Sequence, residues 1–285
     1  MRRLINRHES KLVGLCDPIC LGILLFITGF LVIYELYYIL PHLCDTRGLA
    51  YKLNHVLAFF LTFNILGNIW CCRRTDTSLE AVSKIRQHPP LHEAHLWRLC
   101  THCQMLMPPR SWHCRRCKKC VLKRDHHCNF LCTCIGFTNQ RYFVALLLHL
   151  TVGCFFSLLY NGIFLWQKRM LIVNEPMIFF GNMVDKDPEQ LANWYEYQKV
   201  LFHMGIFKLL TLVTAGPCVH FFYQLYMLWR GTSMGRKDDR SYDLGGWQNL
   251  RLTFGHRMWW VFLSPFLKSK QPHDGTQWQL APQSI

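Results

Sequence analysis

The chain has 285 residues, of which 51% are hydrophobic and 14% aromatic, yet its formal net charge is +15. A soluble domain rarely combines these properties, whereas a membrane protein with basic cytosolic loops does. The fifteen cysteines are an odd number and do not form a complete disulfide framework. Their C-x-x-C units favour metal sites in a reducing compartment over a small secreted disulfide domain.

Four apolar runs have about the length of a membrane span. They cover residues 18–40, 53–72, 142–166 and 200–228, and the pair Gly216-Pro217 interrupts the last of them. The first run follows a basic stretch but exceeds the roughly 7–15 apolar residues of a signal peptide, so we predict that it is retained. No soluble core explains four such runs. The sequence therefore predicts an all-α membrane protein with four transmembrane helices.

The distribution of lysine and arginine predicts the orientation of these helices. Many basic residues lie between the second and third runs, and others lie in both terminal tails. The loop after the third run is acidic on balance and includes Glu175, Asp185 and Asp187. Both termini and the loop between the second and third helices are therefore predicted to be cytosolic.

The predicted segments follow one another in a simple order. They are a cytosolic N-terminal tail (1–17), transmembrane helices 1 and 2 (18–72), a cytosolic cysteine-rich domain (73–140), transmembrane helices 3 and 4 with a lumenal loop (141–229), and a cytosolic C-terminal tail (230–285). The thiols of the cysteine-rich domain suit the reducing cytosol.

Several polar residues fall within or near the predicted helices: Glu35, Asn64, Asn68, His149, His203 and Lys208. Such groups are costly in lipid and often mark a functional site. Several of these residues lie near the ends of the runs, where a long side chain can reach the interface. We interpret them as positions of hydrogen bonding between helices or of interfacial placement.

Cysteine and histidine are concentrated between Cys100 and Cys134, a stretch with eight cysteines and four histidines. The spacing is C-x2-C-x9-H-C-x2-C-x2-C-x4-D-H-H-C-x5-C. Zinc prefers four tetrahedral cysteine or histidine ligands, often delivered as C-x-x-C pairs. Two such sites use eight of the candidates, so about four remain for other roles.

Three other interpretations of this loop are weaker. One is a single zinc site with several buried free cysteines. A second is a RING-type ligase domain, which needs a closing C-x2-C pair, whereas this loop closes with Cys132-Thr133-Cys134. A third is nucleic-acid binding by the neighbouring basic residues. A loop tethered to a membrane at both ends favours anionic headgroups or an anionic cosubstrate instead.

The stretch RDHHCNFLCTC, residues 124–134, places an acid, two histidines and a cysteine in succession. A thiolate nucleophile uses a nearby histidine to take the thiol proton, and a carboxylate can fix the tautomer of that histidine. One histidine can serve as the base while its neighbour binds metal. The stretch therefore predicts that one cysteine and one histidine are withheld from the metal for chemistry.

The motifs CTHC, PPRSWHCRRCKKC, VLKRDHHC, CIGFTN and RYF resemble the cysteine-rich domain of the DHHC family of protein S-acyltransferases. The C-terminal SYDLGGWQNL resembles that of the short animal members with four spans, and the resemblance covers nearly the whole chain. It implies one structural zinc held by Cys100, Cys103, His113 and Cys120, and a second held by Cys114, Cys117, His127 and Cys134. It also implies that Cys128 is the nucleophile, His126 the base and Asp125 the residue that orients His126. His102 and Cys132 are left spare, and His102 is expected to face solvent.

The resemblance further implies the reaction. A long-chain acyl group, commonly palmitoyl, passes from palmitoyl-CoA to cysteine thiols of membrane-associated proteins through an acyl-Cys128 intermediate. The expected partners are acyl-CoA, these substrate proteins and the lipid bilayer, not nucleic acid, and the expected compartment is the endoplasmic reticulum or the Golgi. The candidates for binding the CoA phosphates are Lys118, Lys119, Lys123 and Arg124.

The sequence departs from the family pattern in three places. Asn129-Phe130 replaces Pro-Trp after DHHC, Asp76-Thr77-Ser78 replaces Asp-Pro-Gly, and residues 232–235 lack the acid of Thr-Thr-x-Glu. The last two departures raise the question of whether the loop docks on the C-terminal tail. The alternative function is therefore a catalytically weak membrane scaffold, although the intact DHHC residues favour an enzyme.

Overall fold

The computed structural model describes residues 2–168 and 188–281 of the chain. In these residues, four long helices and three short β-hairpins provide most of the secondary structure. The acidic residues predicted for the loop after the third span, Glu175, Asp185 and Asp187, lie outside the described residues.

The four long helices match the four apolar runs. The first, α1, covers Arg2–Tyr34 and continues through a π-helical turn at Glu35–Ile39 into the short α2, Leu40–Leu43. The others are α3 (Leu49–Arg74), α4 (Gln140–Gln167) and α5 (Pro188–Trp229). The stretches long and apolar enough to cross a membrane are Cys16–Leu43, Leu49–Arg74, Gln140–Gln167 and Gln198–Trp229. The prediction of four membrane helices is confirmed.

The pair Gly216-Pro217 interrupts the fourth apolar run but does not end its helix. Helix α5 continues through both residues to Trp229. A proline inside a helix removes one backbone N–H donor. Membrane helices tolerate this loss because neighbouring groups can satisfy the freed carbonyl.

The segments Gly29–Thr62 and Leu150–Val219 form one compact unit. Its core contains the buried residues Tyr34, Ile39, Phe164, Ile206 and Leu210. Two polar residues predicted to join helices do so here. The Glu35 carboxylate accepts a hydrogen bond from the Asn161 side chain, and the His203 ring is hydrogen-bonded to the Tyr34 hydroxyl at 2.6 Å.

The segments Met1–Thr28, Phe63–His149 and His220–Ile285 form the second compact unit. Its three antiparallel hairpins pair β1 with β2 (Arg98–Cys100, Met105–Met107), β3 with β4 (Trp112–Cys114, Lys119–Val121) and β5 with β6 (His126–Cys128, Thr133–Ile135). Short 3₁₀ turns cover Leu79–Ala81, Lys84–Gln87, Leu91–Leu96 and Asn129–Leu131. Two further helices follow in the C-terminal tail, α6 (Gly246–Phe254) and α7 (Trp260–Leu263).

The C-terminal tail completes the core of the cysteine-rich region. Trp278 is 5% exposed and packs in one apolar cluster with Leu122 and Phe137. The Arg110 guanidinium lies 4.4 Å from the centre of the Trp278 ring, and the Gln271 side-chain amide donates to the Phe137 carbonyl at 2.9 Å. The tail and the cysteine-rich loop are thus parts of one folded body, which the sequence did not predict.

Candidate active site and metal centres

The pairing register of the hairpins determines where the cysteines and histidines point. His113 lies opposite Cys120 across β3 and β4, and His127 lies opposite Cys134 across β5 and β6. Successive side chains on a strand point to opposite faces. Cys114 follows His113 directly on β3, so the two neighbours are directed to different groups.

Two groups of four side chains result, and the ligand atoms of each group lie within 4.8 Å of one another. The first group consists of Cys100, Cys103, His113 and Cys120, and the second of Cys114, Cys117, His127 and Cys134. The structure therefore brings together all eight residues that the resemblance implies. In the part of the chain that the structure describes, neither group includes His102 or Cys132, and His102 is exposed as expected.

Both groups have the spacing and the chemistry of a zinc site. In the second group, Nδ1 of His127 lies 3.3 Å from Sγ of Cys117 and 3.7 Å from Sγ of Cys134. In the first, Nδ1 of His113 lies 3.3 Å from Sγ of Cys103. Ligands about 2.0–2.3 Å from a tetrahedral zinc stand about 3.3–3.8 Å apart. Three cysteine sulfurs and one imidazole nitrogen therefore fit a structural zinc ion in each group.

Strand β5 gives the two adjacent histidines different roles. It covers His126–Cys128, and alternation places His126 and Cys128 on one face and His127 on the other. His127 joins the second metal group, whereas His126 lies beside Cys128, whose sulfur raises the pKa of the imidazole. Two successive histidines on a strand thus allow one residue to face the metal site and the other to face the reactive thiol.

A buried carboxylate holds His126. Nδ1 of His126 lies 2.9 Å from Oδ2 of Asp125, whose side chain is 1% exposed. Burial lowers the pKa of His126, but the Asp125 carboxylate and the neighbouring Cys128 sulfur raise it to about 9. Burial raises the pKa of Asp125, but hydrogen bonds from His126 and other donors lower it overall. The Asp125 carboxylate is therefore placed to stabilise the imidazolium that forms when His126 takes the Cys128 proton.

Two further donors fix the Asp125 carboxylate. Nε2 of Gln224, on α5, donates to Oδ2 at 2.7 Å, and the backbone N–H of Met234 donates to Oδ1 at 2.7 Å. Met234 belongs to the motif that lacks the usual acid. Because its donor is a backbone N–H, the missing side chain does not remove this contact. Nearby, Nη2 of Arg110 donates to the Gly231 carbonyl at 2.6 Å.

The altered motif after α3 also contacts the cysteine-rich region. The Leu122 N–H donates to the Thr77 carbonyl at 2.9 Å, and Oγ1 of Thr138 donates to the Asp76 carbonyl at 3.0 Å. Oδ1 of Asp76 accepts from the Ser78 N–H at 2.9 Å, which forms the turn without the usual proline and glycine. The cysteine-rich loop therefore contacts both altered motifs, so neither departure prevents its docking.

Lys123, one of the four candidates for binding the CoA phosphates, has its side chain turned into the protein. Lys123 is 4% exposed, and its Nζ donates to Oε1 of Gln140 at 2.9 Å and to Oγ1 of Thr253 at 3.0 Å. Burial lowers its pKa to about 7. Nε2 of Gln140 in turn donates to Oε1 of Gln224 at 3.2 Å. Lys123 is therefore one end of a buried chain of hydrogen bonds that leads to Asp125.

Sequence reasoning missed three residues around His126. Gln224 supports Asp125, and the rings of Phe143 and His220 lie 5.1 and 5.9 Å from the His126 ring. Gln224 and His220 are polar residues inside an apolar run, which is a signal that could have drawn attention to them. Phe143 gave no such signal, because phenylalanine is ordinary in a membrane helix.

The residues after Cys128 adopt a short 3₁₀ turn, Asn129–Leu131. The Asn129 side-chain oxygen accepts a hydrogen bond from the Arg116 guanidinium. Phe130 is 51% exposed, and Cys132 ends the turn with a left-handed φ of 52°. The asparagine that replaces the family proline thus has a side-chain partner that proline could not have.

Comparisons with known proteins agree with this site. The sequence model of the DHHC palmitoyltransferase family matches residues 93–239, which include both metal groups and the stretch from Asp125 to Cys128. The protein named probable palmitoyltransferase ZDHHC24 from Homo sapiens is 32% identical over 241 residues, or 81% of this chain and 80% of that relative. Palmitoyltransferase PFA3 from Yarrowia lipolytica is 29% identical over 215 residues, or 66% of this chain and 50% of the relative. Sequence, fold and site lead to the same conclusion: the chain belongs to the DHHC palmitoyltransferase family.

Proposed function

We propose that the protein transfers a long-chain acyl group, palmitoyl in particular, from acyl-CoA to cysteine thiols of membrane-associated proteins. The observation that carries this proposal is that His126 lies between the Asp125 carboxylate and the Cys128 sulfur. This placement pairs a thiol with a base and the base with a carboxylate, which is the arrangement of an activated nucleophile. Four membrane helices keep the thiol near a bilayer, where acyl chains and lipid-anchored substrates gather.

The first step forms an acyl-enzyme. The Cys128 sulfur attacks the carbonyl carbon of the acyl-CoA thioester while its proton passes to His126. The bond between that carbon and the CoA sulfur then breaks, and the CoA sulfur takes the proton from His126. Asp125 stabilises the imidazolium that exists between these two transfers. The products are acyl-Cys128 and free CoA.

The second step regenerates the enzyme. A substrate thiol gives its proton to His126, and its sulfur attacks the carbonyl carbon of acyl-Cys128. The bond from that carbon to the Cys128 sulfur breaks, and Cys128 regains a proton from His126. One base therefore serves both halves of the reaction, and the two substrates react in turn.

We further propose that each metal group holds a structural zinc ion. Each group supplies four protein ligands, so a zinc ion there has no position left for water or substrate. Zinc would join the three hairpins into one body, and it would take no part in the chemistry. Cys128, His126 and Asp125 lie outside both ligand sets.

The acyl-CoA cosubstrate needs positive charge for its phosphates and an apolar surface for its chain. Lys118 is exposed and remains a candidate for the phosphates, as does Lys119, whose Nζ lies 3.4 Å from Asp76 at a solvent-exposed position. Arg124 is half-buried and is the third candidate. The acyl chain would lie among the apolar membrane helices.

This function is tested by measuring the release of CoA, for which we expect an initial burst. Purified protein mixed with palmitoyl-CoA should release about one equivalent of CoA per chain rapidly and then slow, because acyl-Cys128 accumulates. A membrane-anchored peptide with one cysteine should restore continuous release, and the same peptide with serine should not. No release under either condition would contradict the function, and release that needs the peptide from the start would contradict the acyl-enzyme.

We also propose that both termini and the cysteine-rich domain are cytosolic, in the endoplasmic reticulum or Golgi. The excess of lysine and arginine in these segments supports this orientation. A glycosylation acceptor placed between Gln167 and Lys199 should be glycosylated in cells, whereas one placed between Arg73 and Cys100 should not. Glycosylation of the second site would put Cys128 on the lumenal side and contradict the orientation.

A further inference from the structure

Asp17 lies at the start of the first membrane stretch, Cys16–Leu43, and its carboxylate is directed into the cysteine-rich region. Its side chain is 14% exposed. Oδ2 lies 2.9 Å from Nε2 of His127, and Oδ1 lies 3.2 Å from Nη2 of Arg116. A carboxylate at the entry to a membrane helix is costly to bury without partners, so two basic partners call for an explanation.

The contact with His127 has the geometry of support for a metal ligand. Nδ1 of His127 faces the sulfurs of its group, with Cys117 at 3.3 Å and Cys114 at 3.7 Å. Its other nitrogen, Nε2, faces Asp17. A metal-binding histidine commonly donates its second N–H to a carboxylate, which fixes the tautomer and the ring orientation. Asp17 has this position relative to the second group.

The same carboxylate reaches the segment beside the nucleophile through Arg116. This arginine lies between Cys114 and Cys117 in the chain, and its guanidinium donates to the Asn129 side chain as well as pairing with Asp17. Asn129 directly follows Cys128 and begins the 3₁₀ turn. One carboxylate on the first helix is therefore joined to a metal ligand and to the residue after the reactive thiol.

We propose that Asp17 is a positioning residue that orients His127 on the second metal and anchors the segment after Cys128 to the first membrane helix. This inference rests on the proposed ligand set. Loss of a supporting carboxylate typically lowers metal affinity by about 10- to 100-fold. The first group has no contact with Asp17 in the described residues, so only one of the two metals should be affected.

The test is the rate at which a chelator removes zinc from the full-length protein in detergent. In the wild type both zinc ions should leave slowly. In Asp17→Ala about one zinc per chain should leave at least about tenfold faster, while the other leaves at the wild-type rate. Asp17→Asn, which keeps an oxygen acceptor without the charge, should give an intermediate rate. The control is Asp45→Asn, which changes a carboxylate in the turn that follows α2.

The outcomes separate this inference from the ligand assignment. If Asp17→Asn and Asp17→Ala release both metals like the wild type, Asp17 does not position His127. If both metals are released faster to the same degree, Asp17 acts only on general stability and the inference is again wrong. If His127→Ala keeps its full zinc content, the ligand set itself is wrong. Should Asp17→Ala not fold, Asp17→Asn decides the question alone.

Discussion

Cys128→Ser should abolish covalent labelling of the protein by a tagged palmitoyl-CoA. A serine hydroxyl is a much poorer nucleophile than a thiol, and His126 is placed to accept a thiol proton on this face of β5. We expect labelling to fall by at least about 1,000-fold, as it does when the nucleophile of a catalytic unit is removed. The measurement is the label that hydroxylamine releases, because thioesters are cleaved by it and oxygen esters largely resist it.

Cys132→Ser is the matched control for this experiment. Cys132 is four residues from Cys128, is partly exposed and belongs to neither metal group among the described residues. It is not hydrogen-bonded to His126 or Asp125 in the described structure, and its sulfur faces the Asn129 carbonyl at 3.8 Å. This variant should be labelled like the wild type. Equal labelling of Cys128→Ser and the wild type would show that another residue carries the acyl group. A loss of labelling confined to Cys132→Ser would show that Cys132 is the nucleophile.

Features that depend on short-range patterns could be predicted from the sequence. The membrane helices follow from runs of apolar residues, whose length alone exceeds what a small soluble core can bury. The presence of metal sites follows from C-x-x-C spacing, because a tight turn brings two such thiols to one ion, whereas the two ligand sets are implied by the family resemblance. The residues alone predict that one of the two histidines is a base and the other a metal ligand, and the family resemblance implies which is which. The strand that separates them was not predicted.

Features that depend on distant parts of the chain could not be predicted. The Asp125 carboxylate is held by Gln224 and by the backbone N–H of Met234, about a hundred positions later in the chain. A backbone N–H donor does not depend on the identity of the residue, so the sequence does not reveal this hydrogen bond. The missing acid near Met234 therefore suggested a larger change at the site than the structure shows. The burial of Lys123 could not be predicted for a related reason. Other basic residues of the loop, such as Lys118, are exposed, but Lys123 is buried and donates to Gln140 and Thr253.

Mutation of the two adjacent histidines should affect zinc content and stability differently. His126→Ala should slow acyl transfer by about 100- to 10,000-fold, the usual contribution of a general base. Its zinc content should stay at about two per chain, because His126 is in neither ligand group. The fold should also persist, since Asp125 keeps its hydrogen bonds from Gln224 and Met234, each at 2.7 Å.

His127→Ala should instead lose about one zinc per chain and unfold at a lower temperature. Removing one of four ligands opens the second group, and metal binding in such small loops is coupled to their folding. Activity should fall too, but as a consequence, since β5 carries both His127 and Cys128 and the second group anchors that strand. Zinc content, melting temperature in detergent and transfer rate, measured on the same preparations, separate the two variants. If His126→Ala lost metal while His127→Ala kept it, His126 would be the metal ligand and His127 the base, which would contradict the assignment.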